Sequence, residues 1–310
     1  MNITNNCDCG ASRSDSEGER LESATLVKDS NYKEHYRLII CVFACATVPK
    51  YKDEILKIEE TWGKRASQLG VRVLFFLGEE QTDLQDASES FTNVTDSSRS
   101  PIRLAPKYIY LKNVKNDYES ASSKQNLGLK YIYENYNTDF VYCCGTDTYI
   151  NIDKLLLYIN RFDCNKSLYI GGHGGYRTIG NKNYYYHCGG AGFILSKKCL
   201  HSIYLQLFDM LIEWTRICTE NNCSDLITAS DVSISYFLQN ESTSSLEIII
   251  ANSLFFSCNY KGVIRHGEST YYYCCNQKIH IPDIISCHCM SLVDFDEYTQ
   301  LLENNNYWKS

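Results

Sequence analysis

Residues 139–158 read DFVYCCGTDTYINIDKLLLY, and the fold is inferred outward from this stretch. The apolar run Phe140, Val141 and Tyr142 is too short for a helix and predicts a buried strand. Asn151 is a candidate N-cap, and the apolar residues after it recur at helical spacing, at Leu155, Leu156 and Ile159. The stretch therefore predicts a strand, a tight turn and a helix, with Asp147 in the turn.

The position of Asp147 admits two interpretations. In open α/β sheets such a turn lies at the carboxyl edge of the sheet, where ligands bind. A carboxylate there can hold a metal ion against a phosphorylated ligand. The alternative is that Asp147 only caps an ordinary turn, and this stretch taken alone favours that alternative.

Length and composition limit the classes of protein to consider. A chain of 310 residues predicts one α/β domain, at residues 37–310, after a polar and disordered leader at residues 1–36. The net charge of −7 argues against a nucleic-acid partner, because phosphate backbones require a basic surface.

Hydrophobic segments and cysteines indicate the cellular compartment of the protein. The sequence contains no recognisable signal peptide, and its longest apolar run, residues 38–48, is shorter than the roughly 20 residues that cross a bilayer. We therefore expect no transmembrane segment. We also expect the protein to reside in the reducing cytoplasm, where most of its 16 cysteines would be free thiols. The alternative is the lumen of the secretory pathway, where some cysteines would form disulfides.

Buried strands alternate with amphipathic helices before the central stretch. The pattern predicts a strand at 38–43, a helix at 52–62, a strand at 71–77, a surface loop at 78–100, a strand at 108–111 and a helix at 119–136. A strand–helix–strand order of this kind implies right-handed crossovers and a parallel sheet.

Three further positions are candidates for a ligand site. Lys124 could face an anionic ligand, although a solvated lysine is the commoner case. The small residues Gly189, Gly190, Ala191 and Gly192 would let the backbone approach a ligand closely, although such a run is usually only a turn. A helix is predicted from Lys197, and another from Ser230 as N-cap, with Asp231 in its first turn.

Two groups of cysteine and histidine residues are candidates for a metal site. Cys7 and Cys9 have no further ligand nearby, so they do not predict a tetrahedral site. A zinc site is also disfavoured for the second group, which has no C-x-x-C pair and consists of Cys274, Cys275, His280, Cys287 and Cys289. Because neighbours on a strand point to opposite faces, we expect His288 to face a site while both flanking cysteines face the core.

Several short segments follow one another along the chain, namely RLIICVFAC, EETWGKR, VRVLFFLG, SSKQNLGLK, GTDTYINIDKL, YHCGGAGFILS, SDVSIS and IISCHCMS. In this order they resemble glycosyltransferase family 31, which includes the beta-1,3-galactosyltransferases, the core 1 synthase-like enzymes and Fringe. RLIICVFAC, EETWGKR and VRVLFFLG resemble the first strand, the TWxxR segment and the second strand of that family. SSKQNLGLK resembles its lysine-led helix, and GTDTYINIDKL its DDDTYVNxxxL metal motif. YHCGGAGFILS, SDVSIS and IISCHCMS resemble its GGAGYxLS turn, its EDVxxG segment and its VSFHYVS stretch. The resemblance covers about residues 37–305.

This resemblance implies a fold, a reaction and a set of roles. The fold is of the GT-A type, a Rossmann-like mixed sheet with helices on both faces. The reaction is metal-dependent, inverting transfer of a hexose or related sugar from a UDP-sugar to a hydroxyl of a glycan or glycoprotein, with a beta-1,3 linkage. Asp147 and His288 would bind Mn²⁺ or Mg²⁺, and Asp231 would be the catalytic base. The donor-binding residues implied are Arg65, Lys124, Thr146, Gly189, Gly190, Ala191 and Gly192.

The chain also departs from the family pattern. Gly145 and Thr146 stand where the family has two further acids, which puts contacts to the uridine ribose in doubt. Ser230 replaces the acid that precedes the base, and from this sequence we expect no counterpart of the family's membrane anchor. The departures leave a second hypothesis open, in which the chain is a degenerate relative that binds a sugar or a client protein without catalysis.

Overall fold

The computed structural model describes residues 33–79, 107–117, 119–241, 245–261 and 283–304. Several sequence predictions lie wholly or mostly outside these residues, namely the leader, the 78–100 loop, the Cys7 and Cys9 pair, and the proposed zinc ligands Cys274, Cys275 and His280.

The described residues form one large sheet and two small ones. The strands are β1 His35–Phe43, β2 Arg72–Gly78, β3 Lys107–Leu111, β4 Asn137–Cys144, β5 Tyr149–Ile150, β6 Leu168–Gly171, β7 Gly175–Ile179, β8 Lys182–Tyr186, β9 Phe193–Ser196, β10 Glu247–Ile250, β11 Phe255–Phe256 and β12 Ser286–Cys287. The large sheet has the order β10-β6-β9-β4-β1-β2-β3. Only β9 runs antiparallel to its neighbours in this sheet, so the sheet is mixed.

Helices cover both faces of the large sheet. They are α1 Pro49–Glu60, α2 Trp62–Gln68, α3 Ala121–Asn135, α4 Ile152–Ile159, α5 Lys197–Ile203, α6 Met210–Glu220, α7 Ser230–Asn240 and α8 Leu292–Asn304. Successive residues of β1 point to opposite faces, and each face has its own core. Ile40 belongs to the core that contains residues of α1, α2, α4 and α8, whereas Ile39 belongs to the core that contains residues of α3, α5, α6 and α7. Both side chains are fully buried, as expected for a central parallel strand.

The predicted α/β class, with a mixed sheet and helices on both faces, is confirmed. The predicted strands at 38–43, 71–77 and 108–111 are present, and Asn151 caps α4 by accepting a hydrogen bond from the backbone N–H of Lys154. The turn that contains Asp147 leads first into the short strand β5, and α4 follows it.

Two predicted helix boundaries are wrong. The single helix at 52–62 is two helices, because Thr61 has a non-helical ψ of −110° and its hydroxyl donates to the carbonyl of Lys57. The N-cap of α7 is Ala229, and Ser230 is already helical. None of the helices in the described part of the chain is long and apolar enough to span a bilayer.

Candidate active site

A cavity of about 700 Å³ opens at the carboxyl edge of the parallel part of the large sheet. Its walls come from the ends of β1 and β4, the first turns of α1, α3 and α7, and the segment between β8 and β9. The cavity contains all three side chains that were predicted to carry the chemistry, Asp147, Asp231 and His288. Their convergence is an observation, whereas their roles as metal ligands and base stay predictions.

Asp147 and His288 are brought together by the small sheet. Strand β12 pairs antiparallel with β5, and the backbone N–H of Met290 donates to the carbonyl of Asp147 at 3.0 Å. His288 therefore lies opposite the turn after β4, and its Nε2 is 3.2 Å from Oδ1 of Asp147. Both side chains are about one-quarter exposed, so they can reach a ligand in the cavity.

Each member of this pair alters the pKa of the other. Burial alone would raise the pKa of Asp147, but the hydrogen bond and positive charge of His288 outweigh it and hold that pKa below its usual value. Burial alone would lower the pKa of His288, but its hydrogen bond to Asp147 raises it. A cation bound by both residues must displace the imidazolium proton, so binding should strengthen as the pH rises.

Asp231 lies in the first turn of α7, and backbone groups hold its carboxylate. Oδ2 accepts a hydrogen bond from the N–H of Gly189 at 2.9 Å, and Oδ1 accepts one from Val232 at 2.9 Å. Burial raises the pKa of Asp231, and these backbone hydrogen bonds offset only part of the shift. The carboxylate is therefore a stronger base than an exposed aspartate.

Gly189 and Gly190 lie between the acid and the imidazole. A Cβ at Gly190 would lie 2.3 Å from Cε1 of His288, and one at Gly189 would lie 3.1 Å from Cβ of Asp231. Thr148 holds this backbone in place, because its hydroxyl donates to the carbonyl of Gly190 at 2.9 Å. The absence of side chains at these positions is what allows both functional groups to approach the same backbone.

Lys124 and Thr146 also line the cavity, but both side chains have protein partners. Lys124 is only 1% exposed, and its ammonium donates to the carbonyl of Asp117 at 2.6 Å. Burial lowers the pKa of Lys124. The hydroxyl of Thr146 donates to the carboxylate of Glu54 on α1.

Three residues that were predicted to bind the donor lie outside the cavity wall. Arg65 forms a bidentate ion pair with Asp153 at the start of α4, at 2.6 and 2.9 Å. The carbonyl of Ala191 accepts a hydrogen bond from Tyr142 at 2.7 Å. Gly192 has a φ of +79°, and a Cβ there would lie 2.1 Å from the Tyr142 hydroxyl. These three residues lie behind the cavity wall and stabilise it.

Sequence reasoning missed Lys50, Glu54 and Cys289. Lys50 lines the cavity, and its ammonium lies 3.6 Å from the carboxylate of Glu54, one helical turn later on α1. The i, i+4 spacing of Lys50 and Glu54 is the feature of the sequence that could have identified this ion pair.

Cys287 is buried as predicted, but the prediction that Cys289 faces the core is wrong, because its side chain is exposed. The φ of Cys289 is +57°, so the alternation of an extended strand does not apply there.

A divalent cation fits the pair formed by Asp147 and His288. Adjacent ligands of an octahedral ion, each about 2.1 Å from it, lie about 3 Å apart, close to the 3.2 Å between the carboxylate and imidazole atoms. An oxygen and a nitrogen ligand suit Mn²⁺. A thiol is also close, since the ligand atoms of Asp147, His288 and Cys289 all lie within 4.8 Å of one another.

The family model described as Fringe-like matches residues 38–254. Comparison with the curated proteins yields no significant match.

Several solved structures resemble the chain at low identity. A glycosyltransferase involved in the glycosylation of the major capsid of PBCV-1 is 12% identical, with 86% of this chain and 100% of that chain covered and a TM-score of 0.45. The glycosyltransferase GlyE of Streptococcus pneumoniae TIGR4 is 12% identical, with 90% of this chain and 64% of that chain covered and a TM-score of 0.45. The galactosyltransferase LgtC, in complex with donor and acceptor sugar analogs, is 12% identical, with 85% and 95% covered and a TM-score of 0.46.

Proposed function

Because this chain belongs to the Fringe-like family of glycosyltransferases, we propose that it transfers a hexose or related sugar from a UDP-sugar to an acceptor hydroxyl. The transfer is metal-dependent and inverting, and it forms a beta-1,3 linkage on a glycan or glycoprotein. The observation that carries the proposal is the single cavity in which Asp147, His288 and Asp231 converge around two glycines.

At the donor end, Asp147 and His288 would hold Mn²⁺ or Mg²⁺. When bound, the cation neutralises the charge that develops on the departing diphosphate. Lys124 places a second positive charge on the cavity wall, and its buried ammonium is fixed by the carbonyl of Asp117. The chain thus provides fixed electrostatic stabilisation where negative charge grows during transfer.

At the acceptor end, Asp231 accepts the proton of the attacking hydroxyl. The acceptor oxygen forms a bond to the anomeric carbon while the bond from that carbon to the diphosphate oxygen breaks. An aspartate is a far weaker base than a sugar alkoxide, so the proton moves to Asp231 as the new bond forms and not before. Asp231 lies against Gly189 and His288 lies against the next residue, Gly190, so the proposed base and the proposed metal ligand face consecutive residues of one cavity wall.

One observation favours the second candidate function, a binding protein without catalysis. Gly145 has no side chain, and the hydroxyl of Thr146 is occupied by the Glu54 carboxylate. Neither position offers an acid to the donor, so donor contacts here would be fewer than in the family pattern. Asp147, His288 and Asp231 are all retained in the cavity, and this favours the enzyme.

A screen of UDP-sugars for UDP release, in the presence and absence of Mn²⁺, tests the proposal. We expect metal-dependent release with at least one donor, and we expect Asp147→Ala to abolish it. Gly175→Ala is the matched control, because a Cβ at Gly175 would make only ordinary contacts of 3.6 Å. Binding of a UDP-sugar by calorimetry with no turnover on any acceptor would support the binding protein instead. No binding of any UDP-sugar would overturn both donor-dependent functions.

A further inference from the structure

Cys289 lies beside the proposed cation pair and takes no part in the mechanism described above. Its Sγ is 3.3 Å from Nδ1 of His288, while Nε2 of the same ring is 3.2 Å from Asp147. The side chain is exposed, so its thiol is accessible to ions and can rotate about its single χ1 bond. One ligand atom from each of the three residues falls within 4.8 Å of the others.

The backbone at Cys289 adopts a conformation that non-glycine residues rarely occupy. Its φ of +57° is in the left-handed region, which is unfavourable for a residue with a Cβ. The strain is maintained by neighbouring contacts, because the N–H of Met290 donates to the carbonyl of Asp147. Strained residues of this kind concentrate at ligand sites, and here the backbone conformation places the thiol outside the core and beside Nδ1 of His288, the ring nitrogen other than the one that faces Asp147.

We propose that Cys289 is a third protein ligand of the bound cation and that the site consequently favours Co²⁺ or Zn²⁺ over Mg²⁺. The inference rests on the proposed function, because it needs a cation at Asp147 and His288. On coordination the thiol releases its proton to solvent, and the thiolate forms the bond to the metal. Soft sulfur ligands bind Co²⁺ and Zn²⁺ well, whereas Mg²⁺ prefers oxygen ligands.

The geometry requires only a small adjustment. In a tetrahedral site with a metal–sulfur distance of about 2.3 Å and a metal–nitrogen distance of about 2.0 Å, the sulfur and nitrogen lie about 3.5 Å apart. Because 4.8 Å is the upper limit on these separations, the sulfur must move closer by at most about 1.3 Å, which rotation of an exposed cysteine about χ1 can supply. Asp147 and His288 are already at the separation that a shared cation requires.

Cobalt substitution provides a test that does not depend on turnover. Co²⁺ added to the full chain should produce a thiolate-to-cobalt charge-transfer band in the near ultraviolet. In Cys289→Ser we expect the band to disappear and Co²⁺ affinity to fall on the order of tenfold or more, with Mg²⁺ affinity unchanged. Cys164→Ser is the matched control, since the thiol of Cys164 lies beside Asp139 and is not grouped with the ligand atoms of Asp147 and His288.

The outcomes separate this inference from the proposed function. If Co²⁺ binding depends on Asp147 but the band is absent, or persists unchanged in Cys289→Ser, the thiolate ligand is ruled out and the cation site stands. If Asp147→Ala binds Co²⁺ as tightly as the unaltered chain, the cation site itself is ruled out. If the band disappears in Cys289→Ser and not in Cys164→Ser, Cys289 is a ligand.

Discussion

At the scale of single residues, the geometry of the site depends on the absence of a Cβ atom at Gly190. The space that a methyl group would fill at this position is occupied by the imidazole of His288, whose nearest ring atoms would lie 2.3 to 2.6 Å from the added carbon. Because these contacts are shorter than real Cβ contacts, the ring must move if a side chain is introduced. The position of a predicted metal ligand therefore depends on a residue that has no side chain of its own.

Replacement of Gly190 by alanine should displace His288 and weaken cation binding. We expect Mn²⁺ affinity to fall on the order of tenfold to a hundredfold, as measured by calorimetry. Gly175→Ala again provides the control, because it adds the same methyl group without a steric conflict. Unchanged Mn²⁺ affinity in Gly190→Ala would contradict the assignment of His288 as a ligand.

The raised pKa of Asp231 predicts a particular dependence of the reaction on pH. Burial disfavours the charged carboxylate, so Asp231 becomes protonated at a higher pH than an exposed aspartate, whose pKa is about 3.9. Since only the carboxylate can accept the acceptor proton, kcat/KM should fall as the pH is lowered through this raised pKa.

The variant Asp231→Asn separates proton transfer from donor binding. At saturating Mn²⁺, where protonation of the metal ligands no longer limits the rate, we expect transfer to fall on the order of 10²–10⁴-fold. We also expect donor affinity by calorimetry to be unchanged and the acid limb to be absent from the residual activity. The same acid limb in Asp231→Asn would assign that limb to another group. A transfer rate equal to that of the unaltered chain would remove Asp231 from the mechanism.

At the scale of helices and strands, the sequence predicts the features that depend on the pattern of neighbouring residues. Uninterrupted apolar runs at 38–43 and 140–144 identify most of the strands β1 and β4, and one side chain, that of Asn151, sets the N-cap of α4. Contacts between distant elements have no such signal. The hydrogen bond from Thr146 to Glu54 joins residues 92 positions apart, and Cys289 departs from strand alternation because of its positive φ. Packing decides these features, so they could not be read from neighbouring residues.

Mutation of Arg65 distinguishes between two roles for this residue. The resemblance implies a donor contact, whereas the structure uses its guanidinium in a bidentate pair with Asp153 that joins α2 to the start of α4. We therefore expect Arg65→Ala to lower the free energy of unfolding by about 1–3 kcal/mol, as measured by urea denaturation, with KM for the donor unchanged.

A matched control for Arg65 is available on the surface. Arg216 also pairs with two carboxylates, those of Glu213 and Glu220, but it is fully exposed on α6. Solvent screens such pairs, so Arg216→Ala should change stability little. A large rise in donor KM in Arg65→Ala without loss of stability would instead restore the donor-binding role.

At the scale of the whole molecule, the candidate site joins parts of the fold that are far apart in sequence. Asp147 follows β4 in the large sheet, His288 follows β12 in a small sheet, and Asp231 begins α7 on the other face. The order of the motifs along the chain predicted that these residues would meet, because the resemblance covers the entire domain. A ligand that bridges these parts should therefore stabilise the whole fold.

Thermal unfolding with and without UDP and Mn²⁺ measures that stabilisation without knowledge of the sugar or the acceptor. A ligand at a hundred times its dissociation constant stabilises the folded state by about 2.7 kcal/mol, which corresponds to a rise in Tm of about 5 °C for a domain of this size. We expect this rise in the unaltered chain and in Gly175→Ala, and we expect it to be lost in Asp147→Ala. An equal rise in Asp147→Ala would mean that UDP and Mn²⁺ bind elsewhere, and no rise in any variant would contradict a nucleotide donor. Because the measurement reports binding alone, it also applies if the chain binds a nucleotide sugar without transferring it.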